Sequence, residues 1–197
     1  MYHCGVISFG APDAEHPHHG EIPNENYSSA YIACGEDDGG RYILLGGELV
    51  HDTAFVRKYK FAPEIKLYED SAVFNIKVRL ENLRSYPMEY MYLCHLNFKP
   101  MDGAKLIYSA KRDAEHIKVY KAEGSEDLMK YMNDLQENPE IMDSVGAAGQ
   151  VYDPEVCCGI KYESDENGRN RLNQSPFITN GDFCVILIFF SLHTINN

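Results

Sequence analysis

Alternation of apolar and polar positions dominates the middle of the chain. From Arg41 to Ala110 the period is two. Phe55, Arg57, Tyr59 and Phe61 alternate with Val56, Lys58 and Lys60. Further on, Ala72, Phe74, Ile76, Val78 and Leu80 point one way while Val73, Asn75, Lys77, Arg79 and Glu81 point the other. Such spacing predicts a half-buried strand with a solvated outer face. After a turn at Asn82–Pro87, Met88, Tyr90, Tyr92, Cys94, Leu96 and Phe98 share one face, and Glu89, Met91, Leu93, His95 and Asn97 the other. Both faces are largely apolar, so this strand is expected to be central and covered on both sides.

One segment changes period. Ser125 is a good helix N-cap, Glu126 and Asp127 suit the positive end of a helix dipole, Leu128, Met132 and Leu135 recur at helical spacing, and Pro139 stops the run. This helix is expected to cross an end of the sheet structure. Val156, Cys158, Ile160 and Tyr162 suggest another strand, Asp165-Glu166-Asn167-Gly168 a hairpin turn, and Phe183–Phe190 a last buried strand. The first 40 residues, punctuated by glycine, proline, asparagine and serine, read as loop. The expected fold class is mostly β: an antiparallel β-sandwich with one short helix. Residues 1–173 form the sandwich domain, and 174–197 an apolar C-terminal segment.

Composition narrows the function. Thirty acidic residues against 18 basic ones leave a formal charge of −12, which disfavours phosphate backbones and hence a nucleic-acid partner. Phe183–Phe190, eight residues, is the longest apolar run, far below the ~20 that span a bilayer. No basic n-region with an apolar h-region follows Met1, so no membrane partner and a cytoplasmic location are expected. The six cysteines form no CxxC pair and are expected to be reduced small hydrophobes.

Two segments could carry chemistry. In His16-Pro17-His18-His19-Gly20-Glu21, clustered imidazoles could bind a metal, donate to sugar hydroxyls or shuttle protons, or simply form a solvated polar loop. In Cys94-His95-Leu96-Asn97-Phe98, alternation puts His95 and Asn97 on one face about 6.6 Å apart. An imidazole and an amide so placed can grip a ring oxygen and a neighbouring hydroxyl. A core histidine satisfied by a carbonyl is the plainer alternative. Glu21, Glu48, Glu89 and Asp102 are the candidate carboxylates. No GxGxxG, GxxxxGK[ST] or GxSxG occurs, and no cofactor is expected. His16-x-His18 with Glu21 is only faintly similar to a first cupin metal motif, which leaves a metal-dependent enzyme using His16, His18 and His95 as a rival.

Together the two segments resemble a family. His18-His19-Gly20-Glu21-Ile22-Pro23-Asn24 is similar to the HGR-I-x-N loop of bacterial aldose-epimerase-like proteins in the galactose mutarotase superfamily. Met91–Phe98 followed by Asp102-Gly103-Ala104-Lys105-Leu106 resembles their LYHxNFG…L-x-E-GA-x-L segment, about 75 residues later. The resemblance runs from Cys4 to Gly168. It implies a β-supersandwich that recognises a small-molecule sugar, with His95 as the general acid at the ring oxygen, and His19, Asn97 and Glu21 contacting the sugar, no metal being involved. Anomers would interconvert by ring opening, bond rotation and reclosure. A non-catalytic sugar-binding domain on the same fold is the alternative. Glu21 stands where the family usually has arginine, family members are longer, and no family segment matches beyond Asn173. The chain therefore reads as a truncated or diverged member with an incomplete sandwich, and open sheet edges lead one to expect self-association.

Overall fold

A computed structural model describes residues 2–8, 10–71, 73–97, 105–121, 123–143, 156–163, 166, 172–175, 185–189 and 193–195. The strands are β1 (Tyr2–Val6), β2 (Ser29–Asp37), β3 (Gly40–Thr53), β4 (Arg57–Tyr68), β5 (Phe74–Asn82), β6 (Met88–Asn97), β7 (Lys105–Tyr108), β8 (Ile117–Tyr120), β9 (Cys157–Ile160), β10 (Leu172–Ser175), β11 (Val185–Phe189) and β12 (His193–Ile195). One α-helix, α1 (Glu126–Glu137), lies between β8 and β9 in sequence. The strand pairings whose registers are resolved are all antiparallel. The chain divides into two compact units, Tyr2–Leu93 with Phe190–Asn197, and Cys94–Phe189.

In the first unit β2, β3, β4 and β5 form a four-stranded sheet in sequence order. Its register puts Leu49 opposite Phe61 and Phe61 opposite Leu80, so one face collects the apolar half of each alternating pattern. That face packs on β1 and β6. Val6, Leu49, Tyr59, Phe61 and Met88 are buried together, with Val78, Leu80, Tyr90 and Tyr92 against them. Each such side chain contributes about 1.5–3 kcal/mol on burial. The β3–β4 ladder is interrupted between Gly46–Glu64 and Leu49–Phe61, where Pro63 has no N–H to give. Farther along the same face Ile32, Ile43, Leu45, Leu67 and Phe74 are exposed, Ile32 by 69%.

Two expectations for this unit need correcting. The first 40 residues are not all loop: β1 and β2 lie within them. β2 is an edge strand exposed along nearly its whole length, so it has no buried face to impose a period of two. Nor does alternation begin at Phe55. That residue sits in the β3–β4 turn with φ 63° and is 95% exposed, and the strand starts at Arg57. β5 and β6 follow the expected alternation. On β6 the neighbouring Leu93 and Cys94 point to opposite faces and are both buried, as a strand covered on both sides requires.

In the second unit, β7 pairs with β10 and β8 with β9. The Ser125 side chain accepts from Leu128 N at 3.2 Å and caps α1. Leu128, Met132 and Leu135 are buried with Val119 of β8, and Val156 and Cys158 pack against them. The helix thus covers the two-stranded β8–β9 ribbon. Cys34 and Cys158 are free thiols. Among the described residues no helix is long and apolar enough to cross a membrane. Most of the turn at Asp165–Gly168 lies outside the described residues.

Candidate functional site

The histidine loop is held by short-range bonds. Asp13 Oδ1 accepts from the amides of Glu15 and His16 at 2.8 and 2.7 Å and contacts His16 Nδ1 at 2.9 Å. The His16 ring and those amides keep the Asp13 carboxyl below its usual range. His18 Nε2 and His19 Nε2 lie 3.0 Å apart, an arrangement in which one ring donates and the other accepts. His19 and Gly20 both have positive φ, 63° and 85°. A Cβ on Gly20 would fall 2.0 Å from Ser8 O, so only glycine fits there. His19 O accepts from Gly5 N at 3.0 Å and ties the loop to β1.

Glu21 lies deeper than the sequence suggests. It is only 9% exposed. Its Oε1 accepts from Val6 N at 2.7 Å and Ile7 N at 3.1 Å, and the Tyr59 hydroxyl donates to the same oxygen. Three elements (β1, the histidine loop and β4) are therefore joined through one carboxylate. Tyr59 is fully buried, and burial, together with the Glu21 charge, pushes its phenol far above the ordinary value. Its ring stacks on His51 at 5.1 Å, and His51 Nδ1 lies 3.0 Å from Glu25 Oε1.

His3 is a second residue that the sequence did not single out. Its Nδ1 is 2.6 Å from the Tyr92 hydroxyl, and its ring packs edge-on to Phe61 at 5.4 Å. Burial pushes its pKa down to about 4, so the ring is neutral at pH 7. Alternation along β4 placed Tyr59 and Phe61 on one face. Which imidazole or carboxylate would meet them depends on packing between sheets and has no signature in the sequence.

The expected site residues fall as follows. His19 is half-buried in the loop of the first unit, and Glu21 is its internal brace. His95 is half-buried near the end of β6 in the second unit, on the β6 face opposite to Tyr92. Asn97 ends β6, and its side chain lies outside the described residues, as does Asp102. The His16 ring is turned to Asp13 and the His18 ring to His19. Among the described residues no three histidine, cysteine, aspartate or glutamate side chains group as metal ligands.

Among the described residues, antiparallel sheets with one α-helix make up a mostly β architecture. Among solved structures the chain is similar to one described as a "putative aldose 1-epimerase" from Klebsiella pneumoniae subsp. pneumoniae, with a TM-score of 0.65 and 20% identity over 85% of this chain. At that identity the likeness is one of fold. The chain spans 41% of that protein's length. The sequence matches no protein-family model and no curated protein.

Proposed function

We propose that this chain is a carbohydrate-recognising protein of the aldose 1-epimerase-like kind. In this proposal His95 is the general acid toward a sugar ring oxygen, and His19 and Asn97 orient neighbouring hydroxyls. A positioned acid or base of this sort is worth roughly 10²–10⁴ in rate. The fold likeness to the Klebsiella protein carries the proposal, and the two histidine segments supply its chemistry. Glu21 takes a supporting part: its carboxylate already accepts from Val6, Ile7 and Tyr59, so it fixes the loop that presents His19 instead of touching the sugar.

That engagement of Glu21 favours a second version, in which the domain binds sugar without turning it over. The Glu21 carboxylate is spent on structure, so a proton-accepting carboxylate would have to come from elsewhere. Proton NMR of anomer interconversion with purified protein distinguishes the two. Acceleration lost in His95→Ala supports the catalytic form, and saturation transfer to a sugar without acceleration supports the binding form. Absence of both effects at millimolar sugar refutes the proposal in either form.

A further inference from the structure

Against the net charge of −12, one cleft in the first unit is rich in cations. It is about 400 Å³ in volume and lies between the β3–β4 hairpin and the β5–β6 loop, with Arg57, Lys58 and Arg84 on its walls beside Tyr86. The loop that shapes it is firmly built. Asn82, 8% exposed, accepts from Arg84 N at 3.0 Å through Oδ1 and donates to Tyr86 O at 2.7 Å through Nδ2. Leu83 N donates to Lys58 O at 2.9 Å, and the Tyr86 hydroxyl donates to Val56 O at 2.8 Å. These bonds join the two walls before any ligand arrives, so the backbone that carries the cations is preorganised.

Their charges are incompletely matched. Asp52 serves two of them, with Lys58 Nζ at 2.7 Å and an Arg84 guanidinium nitrogen at 3.6 Å. The Lys58 hydrogen bond holds the Asp52 carboxyl below its ordinary range, which keeps it ionised near neutrality. Arg57 forms no ion pair among the described residues. Arg84 Nε is buried and has no hydrogen-bond partner there. A buried guanidinium N–H without an acceptor is costly. Glu89 also lines the cleft and adds a second negative charge, so three cations face two carboxylates.

We propose that this cleft binds a small molecule through an oxyanion group, a phosphate or carboxylate, gripped by Arg57 and Arg84. One oxygen accepts from the terminal guanidinium nitrogens of Arg84, and Arg57 supplies the planar fork that suits either anion. Lys58 adds charge without leaving Asp52. The cleft falls in the size range of small-metabolite sites, and the half-exposed ring of Tyr86 offers an apolar wall to the rest of the ligand. Neither His19, Glu21, His95 nor Asn97 lines it, so the two proposals stand or fall separately.

Isothermal titration calorimetry at low salt tests this with inorganic phosphate and with glucuronate, glucose serving as the neutral control. Saturable binding of either anion is expected, weakened about tenfold or more by Arg57→Gln, weakened by added salt and tightened by Glu89→Gln. Whichever of the two binds identifies the anion. Because Arg84 also sits in the loop that frames the cleft, its part is read in the unaltered protein, from a shift of the Arg84 Nε–H resonance on titration. Anion heats no different from those of glucose, equal affinity in Arg57→Gln, or an unmoved Arg84 resonance would overturn the proposal.

Discussion

Replacing Glu21 tests how the histidine loop is held. The carboxylate accepts from Val6 N at 2.7 Å, from Ile7 N at 3.1 Å and from the Tyr59 hydroxyl. Hydrogen bonds to a charged group are each worth roughly 1.5–3 kcal/mol. The three do not add, because confining the carboxylate costs several kcal/mol that its removal returns. Glu21→Ala leaves two amides and a buried phenol without their acceptor, and the expected loss is about 3–5 kcal/mol. Glu21→Gln keeps one acceptor oxygen but turns an NH₂ toward donors, and about 2 kcal/mol is expected. At roughly 2–4 °C per kcal/mol for a chain of this size, Glu21→Ala should melt some 6–20 °C lower. With no tryptophan and 14 tyrosines, circular dichroism in the tyrosine band is a suitable probe. Amide exchange at Val6 and Ile7 should accelerate in parallel. A Glu21→Ala protein within about 1 kcal/mol of the parent, with those amides still protected, would refute the bracing role. Tyr59→Phe combined with Glu21→Gln in a double-mutant cycle isolates the phenol–carboxylate coupling.

Further expectations follow from the same geometry. His3 has a folded pKa of about 4 against an ordinary 6.5, so the unfolded chain binds its proton first. Stability should be full above pH 6.5 and decline as pH falls toward 4, by at most about 3 kcal/mol; urea titrations of the parent and His3→Phe should differ in that window. Gly20→Ala forces a Cβ to 2.0 Å from Ser8 O, and loss of the loop's amide protection in hydrogen exchange is expected. Ser125→Ala removes the cap of α1 at about 1 kcal/mol, and Leu128→Ala opens the cluster beneath it at about 2–5 kcal/mol, both read by urea denaturation.

The sequence by itself determined the elements that have one buried face. Val78 and Leu80 on β5 and Leu128, Met132 and Leu135 on α1 recur at the period of their structure because burial on one side selects them. The same periodicity fixed the antiparallel β class. β2 escaped it, since an edge strand exposed on both faces is under no such selection. Tertiary structure decided what the polar residues do. Glu21 looks in sequence like a carboxylate beside histidines, and only the packing of β1 and β4 against the loop turns it inward to three donors. His3 looked unremarkable until Tyr92 and Phe61 closed over it. Arg57 and Arg84, 27 positions apart in the chain, share a cleft because a hairpin and a loop meet there. Hydrophobic periodicity is a local property and can be read along the chain. The partner of a charged or hydrogen-bonding group is set by contacts between distant segments, and those exist only after folding.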